Sequence, residues 1–162
     1  MIAGAVSTAI GAFPTRATAQ TNTSPYAFSV SVSLSPKASQ KLSTLSESVN
    51  VKSFYYAKLA RKPTRADIKR ARAEGREPDQ IEMLGDIVTL PAAGGIAEMP
   101  GRNLDAADVA AVGRNPLRVS LNVFSARKAA PDNLLDCDLF DDDLSRARAK
   151  PIVIGCRLIG ER

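Results

Sequence analysis

Basic residues are concentrated in one stretch of the chain, where their charge could hold an anionic partner. Residues 58–77 (KLARKPTRADIKRARAEGRE) contain eight bases and three acids, an excess equal to the net charge of +5 of the whole 162-residue chain. Such a cluster attracts lipid head groups, acidic polysaccharides or nucleic acids. The bases predicted to contact such a partner are Arg61, Lys62, Arg65, Lys69, Arg70 and Arg72.

The same segment has a simpler interpretation, as a solvated loop whose bases keep the protein soluble. Thr64 and Asp67 have the spacing of a helix capping box, and Gly75 can end a helix. We therefore expect an exposed helical excursion between two strands. Nucleic acid is the least favoured partner, because the residues that follow Lys58 in this segment include no aromatic side chain to stack on bases.

A second charged stretch is acidic. Residues 132–143 (DNLLDCDLFDDD) contain six aspartates and no base. Phe140 interrupts the alternation that a calcium-binding loop needs, and no glycine follows at the sixth position. We therefore expect Asp141, Asp142 and Asp143 to cap a short helix rather than to bind calcium. No metal or other cofactor is predicted.

Catalysis is limited by composition, since the chain has no histidine. This excludes Ser-His and Cys-His nucleophile pairs and histidine-ligated metals. Ser125 and Lys128 match the S-x-x-K pattern of penicillin-recognising enzymes, but Ser125 follows a predicted strand and the companion motifs are missing. Paired carboxylates remain as candidate acids and bases. An enzyme is therefore the less favoured interpretation, and no catalytic residue is assigned.

The first 19 residues (MIAGAVSTAIGAFPTRATA) are typical of a secretory signal peptide. Twelve small or apolar residues run from Ile2 to Phe13, and Ala17-Thr18-Ala19 resembles a cleavage site. Twelve residues are too few to cross about 30 Å of hydrocarbon. The usual basic residues before the apolar run are missing, so an alanine- and glycine-rich disordered tail is the alternative. Residues 20–26 form a polar lead-in.

The two cysteines, Cys137 and Cys156, support export. An even number of cysteines in an exported domain predicts a disulfide. Closing a ring of about 20 residues stabilises a fold by about 3 kcal/mol. Two buried free thiols in a cytosolic core are the alternative.

Short segments in which apolar and polar residues alternate predict strands. Gly85 interrupts one of them and predicts a bulge, and Ile96–Met99 is expected to return on that strand as a hairpin. The last strand is apolar on both faces, as a central or covered strand would be. The predicted strands span 27–35, 48–57, 81–90, 96–99, 117–124 and 152–159, and short helices are predicted after Ser35-Pro36 and over 104–112.

Phe54 and Tyr55 must point to opposite faces of their strand. One of them therefore packs in the core, while the other is exposed or covered by a loop. Ordinary packing is favoured over a sugar-binding platform, because the chain has no tryptophan.

These patterns predict an all-β fold, an antiparallel β-sandwich of general immunoglobulin-like or transthyretin-like architecture. Short helices cap it, and residues 27–162 form the single domain. The expected function is non-catalytic: an exported, periplasmic or extracellular module for binding or assembly, with an anionic surface, a polysaccharide or another envelope protein as partner. A carboxylate-dependent hydrolase and a structural subunit of a surface assembly are the alternatives.

Signal-peptide cleavage gives the first test. The mature protein is expected to begin at Gln20, because Ala17 and Ala19 satisfy the small-residue requirement for cleavage. Intact-mass measurement of protein recovered from its natural source checks this. A cytosolic species that retains Met1 would contradict export.

Overall fold

The structure, a computed structural model, describes residues 24–161. The predicted signal peptide and most of the polar lead-in lie outside them. The described residues form eight strands and four helices. In chain order these are β1 (Phe28–Leu34), α1 (Pro36–Thr44), β2 (Val49–Lys58), α2 (Arg65–Glu74), β3 (Gln80–Leu90), β4 (Gly95–Met99), α3 (Ala106–Val112), β5 (Arg118–Ser125), β6 (Leu135–Cys137), β7 (Phe140–Asp143), α4 (Leu144–Ala149) and β8 (Ile152–Leu158).

The strands form two four-stranded sheets, so the prediction of a mainly β fold is confirmed. The first sheet has the order β4-β1-β8-β6 and the second β3-β2-β5-β7. All pairs are antiparallel except β1 with β8, which is parallel. The expectation of purely antiparallel pairing is therefore wrong at this pair.

One core serves both sheets. Alternate residues of β1 from Phe28 to Val32 and of β2 from Val49 to Ala57 are buried, and Leu34 is partly buried. Side chains from both sheets belong to the same hydrophobic cluster. The rings of Phe28 in β1 and Tyr55 in β2 meet edge to face, 6.4 Å apart. The Tyr55 hydroxyl donates to the Tyr26 carbonyl at 3.4 Å, and burial raises the pKa of Tyr55 to about 12.

Gly85 forms the predicted bulge. The pairing of β2 with β3 shifts register between Lys52 and Phe54. Ser53 therefore faces two residues, and its Oγ accepts a hydrogen bond from the backbone N–H of Asp86 at 2.9 Å. A Cβ at Gly85 would lie 2.2 Å from that Oγ, so only glycine fits.

The predicted hairpin at β4 is wrong, because β4 pairs with β1 in the other sheet. Gly94 and Gly95 both have positive φ and redirect the chain there. A Cβ at Gly94 would lie 2.5 Å from the carbonyl oxygen of Val32, so glycine also permits this close approach to β1.

The acidic segment contains two strands that the sequence did not predict, β6 and β7. Aspartate is depleted in strands, but arginines of neighbouring strands pair with these carboxylates. Asp136 meets Arg157 of β8, and Asp141 meets Arg118 of β5, each at 2.8 Å. Helix α4 begins at Leu144 as expected, although the side chain of the preceding residue, Asp143, makes no capping hydrogen bond.

The predicted disulfide is confirmed. Cys137 of β6 and Cys156 of β8 lie directly opposite each other and are bonded. The bond joins the acidic segment to the last strand, and it indicates a non-reducing compartment. Strand β8 is central, as predicted, although Val153 on its outward face is 73% exposed.

A buried carboxylate fixes the start of β2. Glu47, 3% exposed, accepts hydrogen bonds at Oε2 from the backbone N–H groups of Lys128 (2.7 Å) and Ala129 (2.9 Å). Its Oε1 accepts one from Ser48. Burial favours a raised pKa, but these backbone donors outweigh it and hold the pKa of Glu47 below its ordinary value. The charged side chain therefore ties the start of β2 to the loop after β5.

Glu47→Gln is expected to lower the free energy of unfolding at neutral pH by about 1–3 kcal/mol, since the amide cannot replace a charged acceptor. A lowered folded-state pKa contributes stability above the unfolded-state pKa, and this contribution is lost as pH falls through the folded value. The free energy of unfolding, measured with urea from about pH 7 to about pH 3, should thus decline less steeply in the variant than in the wild type. Parallel declines would contradict this role.

Candidate anionic-partner surface

The basic segment folds as the predicted helix, α2, because both its ends are capped. The Thr64 hydroxyl accepts a hydrogen bond from the N–H of Asp67, and the Asp67 carboxylate accepts one from the N–H of Thr64. Gly75 ends the helix in the left-handed region, with φ of 68°. The helix therefore has defined ends rather than being an irregular loop.

One of the six predicted binding residues is engaged inside the segment. Arg61 pairs with Asp67 at 2.6 Å. Hydrogen bonds from Arg61 and Thr64 hold the pKa of Asp67 well below its ordinary range, and the bond to Asp67 raises the pKa of Arg61. The charge of Arg61 is therefore balanced within the helix cap.

The other five predicted binding residues are exposed. Among residues 24–161 they form no ion pair with an acid. Arg65, Lys69 and Arg72 follow at positions i, i+4 and i+7 and share one face of α2. The five are Lys62, Arg65, Lys69, Arg70 and Arg72.

An ion pair and a hydrogen bond hold the two ends of the excursion to the sheet. Lys58 at the end of β2 meets Asp79 just before β3, at 2.7 Å. Arg76 pairs with Glu74 and donates to the carbonyl of Gln80 in β3, and its side chain is only 10% exposed. These paired bases position the helix, while the unpaired ones face solvent.

A cavity of about 240 Å³ separates α2 from α3. Arg70 and Asp67 line it from α2, and Asp108 lines it from α3. The row of Arg65, Lys69 and Arg72 contributes no residue to the lining of this cavity.

The sequence did not predict a groove of about 650 Å³ on the outer face of the second sheet. Tyr55 packs in the core, whereas Phe54, Tyr56 and Leu84 line this groove, and Leu84 is 71% exposed. The Tyr56 hydroxyl donates to Asp141 and accepts from Arg118 at 2.8 Å. The alternation in 54–56 indicates that Phe54 and Tyr56 share a face opposite to Tyr55. It does not predict the groove, which also needs residues of β3 and β7.

The carboxylates around this groove are engaged. Glu74 pairs with Arg76, and Asp141 pairs with Arg118. Burial favours a raised pKa at Asp141, but Tyr56 and Arg118 hold that pKa below its ordinary value. Asp141 is therefore not available as a general acid near neutral pH. Glu82 is the groove's remaining carboxylate, with a 3.4 Å contact from the side-chain amide of Gln80.

Other candidate sites serve the fold. Ser125 of the S-x-x-K match is fully buried, and its Oγ accepts a hydrogen bond from the N–H of Leu134 at 2.9 Å. Within the described part of the chain, no three His, Cys, Asp or Glu residues are grouped so that they could hold a metal ion. No helix there is long and apolar enough to cross a membrane.

Comparisons with protein-family models, curated proteins and solved structures found no match for this chain.

Removing the α2 cap should loosen the helix without unfolding the protein. Thr64→Ala is expected to cost about 1 kcal/mol of local helix stability, since the N–H of Asp67 loses its acceptor. Hydrogen exchange of amides in 65–74 should become about fivefold faster. Thr44→Ala, at the last residue of α1, is the control and should leave α2 unchanged. Unchanged exchange in Thr64→Ala would contradict the capping role.

Proposed function

We propose that this chain is an exported, non-catalytic β-sandwich domain that binds an anionic partner reversibly through α2. The observation that carries this proposal is the set of five exposed bases without an acidic partner among the described residues. Four of them lie on α2, which belongs to neither sheet, and Lys62 lies just before it. The fold does not use these charges, so they are free for a partner.

The sandwich architecture is supported by the shared core. In β1 and β2, one from each sheet, buried residues alternate mainly with partly buried ones, and the Phe28–Tyr55 contact joins the two strands. In an immunoglobulin-like or transthyretin-like arrangement the two sheets pack face to face over such a core. The parallel β1–β8 pair is a departure from the antiparallel sheets of the immunoglobulin fold.

Export is supported by the signal-like first 19 residues and by the disulfide. Disulfides persist in secreted and periplasmic proteins and are rare in the cytosol. The partner would therefore be an anionic component of the cell envelope or its surroundings.

The expected affinity is modest. Each Lys or Arg close to an anionic surface contributes about 1 kcal/mol, so five together contribute about 5 kcal/mol. This corresponds to a Kd on the order of 0.1–1 mM. Raising the salt from about 0.1 M to about 1 M shortens the Debye length from about 10 Å to about 3 Å and should weaken binding.

Charge reversal tests this function with a matched control. Arg65→Glu with Lys69→Glu is expected to weaken binding to vesicles of anionic lipid and to acidic polysaccharide by about thirtyfold or more, from two lost contacts of about 1 kcal/mol each. Lys37→Glu with Lys41→Glu makes the same charge change at the same spacing on α1. Binding is measured by co-sedimentation at low salt.

The control helix lies at the opposite end of β2, which spans ten residues or about 30 Å. The control variant should bind like the wild type. Thermal unfolding should be nearly unchanged in both variants, since exposed substitutions alter stability by only about 0.5 kcal/mol each. If the wild type binds neither probe in a salt-dependent way, the bases serve only solubility and the proposal fails.

A further inference from the structure

The loop between α3 and β5 lies against the base of the α2 excursion. The N–H of Ala60 donates to the carbonyl of Ala111 at 2.9 Å, and the side-chain amide of Asn115 donates to the carbonyl of Lys58 at 3.0 Å. A Cβ at Gly113, where φ is 61°, would lie 2.9 Å from the Cβ of Ala60. The loop is therefore held beside the residues from which the excursion leaves β2.

This contact brings Arg114 to the same end of the molecule as α2. Arg114 is exposed, and within residues 24–161 it pairs with no acid. It lies far from 58–77 in sequence, so a charge count along the chain does not associate the two. A second element therefore places an exposed base at the same end of the molecule as α2.

The exposed face of α2 lacks the side chains that insert into a lipid bilayer. Its exposed positions hold Arg, Lys, Ala and Glu, while Ile68, its only large apolar residue, is partly covered. Helices that bind membranes at the interface place a broad apolar face among the acyl chains. This surface instead favours a polymer that lies along it.

The bases of α2 are spaced to contact successive charges of such a polymer. At about 1.5 Å of rise per residue, Arg65, Lys69 and Arg72 lie about 6 Å and then about 4.5 Å apart along the helix axis. An arginine guanidinium pairs with a carboxylate through two parallel hydrogen bonds. Several weak contacts to one polymer molecule raise its overall affinity, because each contact after the first forms within the same complex.

We propose that α2 and the α3–β5 loop form one two-part site for a linear acidic polysaccharide, with Arg114 as the second contact point. This inference rests on the proposed function and adds the class of partner and a binding residue. The partner's carboxylates pair with the outward row of α2 and with Arg114.

The test uses the full chain and two probes, polygalacturonate and vesicles of phosphatidylglycerol mixed with phosphatidylcholine. Wild-type protein should bind polygalacturonate in a salt-dependent way and more tightly than the vesicles. Arg114→Glu should weaken polysaccharide binding about tenfold, whereas Lys41→Glu should leave it within about twofold. A digalacturonate should compete poorly, since it carries only two carboxylates for a site with at least four bases.

The outcomes separate this inference from the proposed function. Binding to vesicles but not to polygalacturonate would overturn the partner class and leave the function standing. Arg114 would be excluded as a contact point if Arg114→Glu left polysaccharide binding unchanged while Arg65→Glu with Lys69→Glu abolished it. Failure of both probes to bind would overturn both. Arg114→Glu should have the same midpoint of thermal unfolding as the wild type, so that a change in binding is not caused by a change in stability.

Discussion

Burial of one face of β2 is the constraint on which the other elements depend. Val49, Val51, Ser53, Tyr55 and Ala57 all lie inside, and β2 pairs with β3 on one side and β5 on the other. A slip of one residue would turn this face to solvent. Ser53 and Gly85 fix the register in the middle, and Glu47 fixes it at the start. Because β2 ends at Lys58, the same constraint sets where α2 leaves the sheet.

Charges in the basic segment divide into two groups with different roles. Lys58 and Arg76 attach the excursion to the sheet, and Arg61 pairs with Asp67 inside the helix cap. The outward row on α2 has no acidic partner among the described residues. Exposed ion pairs contribute little stability, but they set the position of the helix. Substitutions in the outward row can therefore change the surface charge without changing the fold.

Local chemistry decided which features could be predicted from the sequence. Period-two alternation located β1 and β2, the Thr64–Asp67 pair and Gly75 located α2, and Gly85 located the bulge. Features set by distant contacts were missed. The sequence contains no sign that β4 pairs with β1 or that arginines of β5 and β8 stabilise acidic strands. It also contains no sign that the loop carrying Arg114 contacts the residues that leave β2.

The parallel pairing of β1 with β8 has a consequence for the order of folding. The first and last strands are neighbours at the centre of one sheet, with Val30 opposite Ile152. That sheet cannot close until nearly the whole chain is available, and closing so long a loop makes folding slow. During synthesis, β1 therefore lacks one of its two neighbours in this sheet until β8 has been made.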